Sequence, residues 1–485
     1  MKNIKIYYHI VILLTVLAFE TGCNKKNDTT GGTSVSPVVP IVPVTPVATD
    51  VNEWLTLPDQ SQLFKKQNVS LLFNTGTNQN TTIAVDDTQT YQTIDGFGFA
   101  LTGGSAYLLN SLSNANKTAL LNELFNTDSA HIGISYIRIT IGASDMSSAA
   151  FSYDDVPNDI ALTNFSLDKE KTDLIPILQK IIAINPDIKI LACPWSAPAW
   201  MKDNNSFYGG SLKAANYAAY ANYFVKYIQA MKAAGITIDA ITPQNEPLNA
   251  YNNPSMLLLA ADEGNFVKNN LGPAFQAAGI KTKIIVYDHN ADHPEYATSI
   301  LADPVTKGFV DGSAFHLYAG NVNTIGLVHD AYPDKNLYFT EQATFGGGNF
   351  GSDLAWHVGN LLIGATRNWC RNVLEWNLAS DPNYGPHTIG GCTTCLGAVT
   401  IGSGVTRNLS YYIIAHASKF VRPGAVRIAS DQQSMLLNVA FKNTDGTKVL
   451  IVLNTSSATQ TFNIKFNGKI TTSTLSNGAV ATYQW

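Results

Sequence analysis

Along most of the chain, short apolar runs alternate with stretches in which apolar residues recur every three or four positions, the pattern of strands followed by helices. Eight runs read as strands: Gln92 to Phe97, Tyr136 to Ile141, Lys189 to Trp195, Ala240 to Asn245, Lys283 to His289, Gly312 to Tyr318, Asn336 to Glu341 and Asn372 to Leu378. The clearest helix is predicted from Leu212 to Ala234, with Tyr217, Tyr220, Phe224, Ile228 and Met231 on one face and Gly235 as its stop. Eight strand–helix units predict an α/β fold, a (β/α)8 TIM barrel. The flanks read differently. Residues from about Trp54 to Asp87, and again from about Ala425 to Trp485, are short strands separated by turn signals. Neither flank can bury a face alone, so an attached β-sandwich built from both chain ends is predicted. The boundaries are 54–90 and 422–485 for the sandwich and 91–421 for the barrel.

The first residues follow another rule. Met1-Lys-Asn-Ile-Lys5 is basic, and Ile6 to Phe19 is apolar but too short to span a bilayer, so residues 1–22 are expected to be a signal peptide. Thr21-Gly-Cys23 resembles a bacterial lipoprotein processing site, although Glu20 is unusual there; Cys23 is the expected lipidation site. Residues 23–53, rich in Pro, Thr and Val, read as a disordered tether. The expectation is an exported protein, lipid-anchored to a bacterial membrane, the outer membrane on its periplasmic or cell-surface face, and touching that membrane through the anchor only.

At 485 residues, 45% hydrophobic and 14% charged, the chain is long enough to bury a large core. The net charge of −5 and the lack of a basic cluster argue against nucleic acid. A neutral substrate fits, and a monomer is expected.

Chemistry concentrates at strand C-termini, where barrels of this kind place it. Arg138, Trp195, Glu246, His289, His316 with Tyr318, Glu341, and Trp376 with Asn377 all fall there. Two glutamates on two strands suit glycoside hydrolysis, in which one carboxyl protonates the leaving oxygen while the other attacks or activates water. Pro247 fixes the turn carrying Glu246, which is the expected general acid/base. Glu341 is the expected nucleophile, with Arg138 and Tyr318 to keep it ionised. Asn245 would hydrogen-bond the sugar 2-hydroxyl. Each glutamate alone would more often be an ion-paired rim residue; the two together, among aromatics, favour catalysis. His289, His293 and His316 with Asp288 and Asp292 show no compact ligand motif, so neither metal nor cofactor is expected, and His316 is read as a sugar contact. Cys392-Thr-Thr-Cys395 in a glycine-rich loop reads first as a local disulfide, and Cys193 as a buried core thiol.

Taken together, Gln92-Thr-Ile-Asp-Gly-Phe-Gly98, Pro194-Trp-Ser-Ala-Pro-Ala-Trp-Met-Lys202, Gly209-Gly-Ser-Leu-Lys213, Thr242-Pro-Gln-Asn-Glu-Pro247, Phe315-His-Leu-Tyr318, Tyr338-Phe-Thr-Glu-Gln342 and Glu375-Trp-Asn-Leu-Ala379 resemble glycoside hydrolase family 30. The resemblance runs from about residue 54 to the end. It implies a retaining enzyme with Glu246 as acid/base and Glu341 as nucleophile, and with Arg138, Trp195, Asn245, His316, Tyr318 and Trp376 lining the sugar subsite. The stretches Gly142 to Ser147, Asp288-His-Asn290, Gly385-Pro-His387 and Gly391 to Cys395 look most like the endo-β-1,6-glucanase subfamily, and His387 joins the substrate-contact set. The expected substrate is a β-glucan polysaccharide or oligosaccharide. An exo-acting β-glucosidase or glucosylceramidase-like enzyme is the alternative, and a non-catalytic surface glycan-binding protein a third. One departure stands out: where the family commonly has an aspartate holding outer sugar hydroxyls, this chain has Gly103, which would leave room for a continuing polymer.

Overall fold

The computed structural model describes residues 46–485 except residue 129. The signal stretch 1–22, Cys23 and the tether as far as residue 45 lie outside the described residues. The eight parallel barrel strands, numbered β1 to β8 here, are Gly96–Leu101, Tyr136–Thr140, Lys189–Cys193, Ala240–Ile241, Lys283–Ala291, Val310–Gly320, Asn336–Glu341 and Cys370–Asn377. Each pairs with the next, and β8 pairs with β1 to close the ring.

Close backbone approach sets the strand spacing. An added Cβ at Gly98 of β1 or Gly312 of β6 would lie 1.9 Å from the carbonyl oxygen of Tyr136 or Asn336. Inside the ring, Tyr136 and Tyr338 fill space opposite Ala100, Ala240 and Ala314, the large-with-small pairing that close packing demands. The predicted long helix is observed at Tyr217–Ala233. It starts late because Leu212 is held in a β-bridge to Lys202. It stops at Gly235, whose φ of +80° is costly for any residue with a side chain.

A nine-stranded sheet covers one flank of the barrel. Its order is Lys65–Lys66, Asn52–Thr56, Val480–Gln484, Lys448–Asn454, Leu436–Lys442, Val426–Ser430, Thr81–Thr93, Gln460–Phe466 and Lys469–Leu475. Strand Thr81–Thr93 serves two neighbours: residues 81–85 run parallel to Gln460–Phe466, while residues 85–93 run antiparallel to Val426–Ser430. Ile83, Val85, Leu450, Val452, Phe462, Ile464 and Tyr483 form the buried core between its layers.

Several boundaries differ from the sequence reading; the expected strand Ala240–Asn245, for one, stops at Ile241, so Asn245 and Glu246 project from the turn beyond it. Ordered structure begins before residue 54: Val51 is fully buried and the first strand starts at Asn52, so the tether is shorter than 23–53. The stretch Gln92 to Phe97 is not one barrel strand. Residues 92–93 end the sandwich strand, and β1 begins only at Gly96. The chain turns between them, where Ile94 exchanges backbone hydrogen bonds with Gly424 and Ala425 and Asp95 is clamped by Arg371 at 2.7 Å. β-Formers on both sides of the turn hide it from a pattern of hydrophobicity.

The sheet is locked to the barrel through helix Leu409–Ser418. Its His416 bridges the hydroxyls of Thr56 (2.8 Å) and Thr482 (2.9 Å), and burial pushes the imidazole down to about 3, so it works as a neutral linker.

The glycine geometry makes a stability prediction. Gly98→Ala should lower the unfolding free energy by at least about 3 kcal/mol, since the obstruction is backbone and cannot swing away. Gly235→Ala meets nothing within 4 Å and should cost about 1–2 kcal/mol through its backbone conformation alone. Urea unfolding of the two variants checks the difference, and equal losses would refute the steric account.

Candidate active site

Three irregularities at the C-terminal mouth re-aim side chains into the barrel. On β5, Tyr287 pairs with Ala314 and His289 with Phe315, leaving Asp288 as an extra residue. On β7 and β8 the register slips in the same way at Thr340 and at Trp376. Bulges bend a strand and turn the extra side chain toward a site. Tyr287 and Asp288 sit at φ +78° and +61°, and Glu246 at +44°. Each such residue costs of order 1–3 kcal/mol, which the surrounding structure has to offset.

Asp288 is fully buried. It accepts from Arg138 Nη2 (2.7 Å), Thr242 Oγ1 (2.7 Å), Thr340 Oγ1 (2.6 Å), the Cys193 thiol (3.1 Å) and His316 Nε2 (3.2 Å). Burial alone would raise its pKa, but the charge of Arg138 and the bonds from His316 and Thr340 hold it well below the usual carboxylate range. Its carbonyl also accepts the Glu246 N–H at 3.0 Å, pinning the strained turn.

From Asp288 the network reaches both glutamates. Arg138 donates through Nη1 to Glu341 Oε2 (2.6 Å) and through Nη2 to Asn245 Oδ1 (2.7 Å). Its guanidinium lies 4.7 Å from the Trp195 ring centroid and 5.8 Å from that of Trp376, so two aromatic faces share its charge. Tyr318 donates its hydroxyl to Glu341 Oε1 at 3.0 Å. Glu246 accepts from Asn249 Nδ2 at 2.8 Å and faces His316 Nδ1 at 3.2 Å. One oxygen of Glu246, one of Glu341 and a nitrogen of His316 all lie within 4.8 Å of one another. A cation is disfavoured there, because Arg138 lies against Glu341 and His316 already faces carboxylates on both ring nitrogens.

Burial disfavours a charged His316, yet Glu341, Asp288 and Glu246 together lift it to about 9, so it is an imidazolium at neutral pH. Glu246 responds in the opposite sense: burial would raise it, and His316 with Asn249 holds it at about 2. Glu341 is raised by burial and by the charges of Glu246 and Asp288, with His316 and Arg138 opposing. These groups titrate as one set. With Nε2–H directed at Asp288, the other imidazolium N–H is directed at Glu246 Oε1, and this contact holds Glu246 ionised.

Of the residues expected to form the site, Arg138, Trp195, Asn245, Glu246, His316, Tyr318, Glu341 and Trp376 are brought together in this cluster. His387 stands beside it: its Nδ1 lies 2.9 Å from the Thr388 carbonyl, and the Thr388 N–H donates to the Asp145 carbonyl at 2.8 Å. His293 is half-exposed on Glu295, away from His316. Cys193 lines the cluster rather than merely filling core.

Asp288 and Asp145 have larger roles than the sequence suggested. Asp145 is buried and lifted to about 7 by burial and the charges of Glu341 and Glu246, and its Oδ1 has no hydrogen-bond partner. The sequence reading took the absence of an aspartate at Gly103 as room for a continuing chain. Gly103 itself begins helix Gly103–Ser111, where a side chain would approach Ser147 Oγ at 3.2 Å. The signal for both aspartates was present in the stretches Gly142 to Ser147 and Asp288-His-Asn290.

A closed barrel with two carboxylates this close, set among tryptophans and hydrogen-bond donors, defines the active site of a glycosidase. Residues 94–421 match the Glycosyl hydrolase family 30 TIM-barrel domain and residues 424–483 the Glycosyl hydrolase family 30 beta sandwich domain. The chain belongs to glycosyl hydrolase family 30. It is 37% identical over 404 residues to the Endo-1,6-beta-D-glucanase of Neurospora crassa, covering 78% of this chain and 82% of that one. It is 30% identical to the mouse Lysosomal acid glucosylceramidase, with 76% of each chain covered. The solved structure of the endo-beta1,6-glucanase BT3312 superposes with a TM-score of 0.85 at 37% identity, covering 90% of this chain and 99% of that one.

The His316 shift fixes a pH dependence. Its folded pKa of about 9 lies above the ordinary 6.5, so its contribution to stability is complete below pH 6.5 and is lost as pH rises through 9, about 3 kcal/mol in all. The stability difference between wild type and His316→Gln should therefore shrink across that window. A difference that stays constant or grows there contradicts the charge state.

Proposed function

We propose that this enzyme is an endo-acting β-1,6-glucanase that cleaves by double displacement with retention at the anomeric carbon. The observation that carries the mechanism is the approach of Glu246 and Glu341 to within 4.8 Å, the short separation of a retaining pair rather than the roughly 6.5–9.5 Å at which an inverting pair places a water across the sugar. Both oxygens of Glu341 accept from Arg138 and Tyr318, the environment of an ionised nucleophile. Glu246, on the other side of the cleft, is the acid/base, and it takes up its proton when substrate enters and weakens the hold of His316 on its carboxylate. The group leaving a β-1,6 linkage is a primary alkoxide, so it must be protonated as the bond breaks. Glu246 protonates it while Glu341 attacks from the opposite face; Glu246, now the base, then takes a proton from the water that opens the glycosyl ester. His316 stabilises the carboxylate that Glu246 becomes. Asn245, oriented by Arg138, is placed for the sugar 2-hydroxyl.

The relatives named for endo-1,6-β-glucanase activity support the linkage, since they match at higher identity than the glucosylceramidases. The same proposal holds the protein to be a monomer, and to be exported and lipid-anchored through Cys23. The basic and apolar leader, the small residue before Cys23 and the Cys392–Cys395 disulfide support that location. Among the described residues no helix is long and apolar enough to cross a membrane.

Wild-type enzyme should release a ladder of oligosaccharides from linear β-1,6-glucan; glucose as the sole early product would mean exo action. Glu246→Ala should lose about 10²–10⁴-fold on that glucan but far less on a dinitrophenyl glucoside, whose leaving group needs no proton. With azide, Glu246→Ala should yield the β-glucosyl azide and Glu341→Gly the α-anomer, and the reverse pairing would exchange the two roles. Cys23→Ala should move the protein from the membrane to the soluble fraction, and an unchanged distribution would reject the anchor.

A further inference from the structure

Some of the most exposed large apolar side chains among the described residues stand near the cleft: Ile389 is 93% exposed, Tyr251 82% and Tyr208 49%. An apolar side chain in water adds nothing to folding, so three on adjoining loops call for a reason. The loops do adjoin. Ser255 N–H donates to the Phe207 carbonyl at 2.9 Å, and Gly209 N–H to Ser255 Oγ at 3.0 Å. Asn253 Nδ2 donates to the Ile389 carbonyl at 2.8 Å, and Thr388 Oγ1 to the Asn253 carbonyl.

The middle loop begins at Glu246, and Asn249 couples that residue to Tyr251. Asn249 Nδ2 donates to Glu246 Oε2 at 2.8 Å, and its Oδ1 accepts the Tyr251 N–H at 3.1 Å. The loop bearing the acid borders the side from which the leaving group departs. From Leu248 to Asn253 it has no charged residue, but it has three asparagines around one tyrosine. A ring face for sugar C–H bonds beside amides for hydroxyls is the chemistry that holds a neutral saccharide.

We infer that Tyr251, flanked by Tyr208 and Ile389, is a platform for the glucosyl units on the leaving-group side of the scissile bond, so that the enzyme grips the outgoing chain as well as the sugar it cuts. This rests on the endo-acting reading above. An aromatic platform of this kind tolerates a flexible 1,6-linked chain, because a ring face places few angular demands on the sugar it meets.

The test compares β-1,6-gluco-oligosaccharides of increasing length with β-glucosyl fluoride, which has no sugar on that side. Tyr251→Ala and Tyr208→Ala should each lower kcat/KM on the longer oligosaccharides about 3- to 10-fold, mainly through KM. Their loss on glucosyl fluoride should be much smaller, and Tyr251→Phe, which keeps the ring, should retain most of the activity on long chains. Equal losses on both substrates would show that Tyr251 only shapes the Glu246 turn, and no loss on long chains would show that the rings bind nothing; either result overturns the platform. Wild-type enzyme that leaves β-1,6-glucan uncut would instead remove the endo-acting reading, and the platform with it.

Discussion

Asp288 holds a negative charge in the mouth of the barrel with no solvent to stabilise it. A lone buried carboxylate would be protonated or would unfold its surroundings. Here two cationic side chains, two threonine hydroxyls and a thiol satisfy it. That constraint propagates: Arg138, fixed by Asp288, orients Glu341 and Asn245, while His316, fixed by Asp288 at Nε2, faces Glu246 through Nδ1. The Asp288 carbonyl also secures the turn from which Glu246 projects. One bulged residue thus sets both the direction and the charge of the two cleft glutamates, one at the end of its strand and the other on a turn beyond its strand.

Charge within the cluster explains why a neutral substrate suits it. Arg138 and His316 oppose Asp288, Glu246 and Glu341, so a fully ionised set has one negative charge in surplus, which one further proton neutralises. Asp145, lifted to about 7 beside the pair, belongs to the same balance. An anionic ligand would upset it, and a cation would compete with Arg138.

The strand ends that carry Glu246 and Glu341 were legible because apolar runs stop abruptly at polar residues followed by proline or glutamine. Arg138, Trp195, His316, Tyr318 and Trp376 were legible on the same ground. Asp288 could be seen as a motif but not as an anchor, because a bulge leaves no trace in hydrophobic periodicity. His387 was read as a sugar contact from its motif, which the fold holds beside Asp145 through Thr388. The first barrel strand was misplaced by four residues, Gln92 instead of Gly96, because Thr, Ile and Phe suit both the strand that ends and the strand that begins.

The nine-stranded sheet takes three strands from residues before the barrel and six from residues after it. Thr81–Thr93 meets Val426–Ser430 and Gln460–Phe466, and Asn52–Thr56 meets Val480–Gln484, only after a ribosome has completed the entire barrel. A chain shortened by that one terminal strand would leave a finished catalytic cup beside a gap, with Asn52–Thr56 and Lys448–Asn454 as open, adhesive edges on either side.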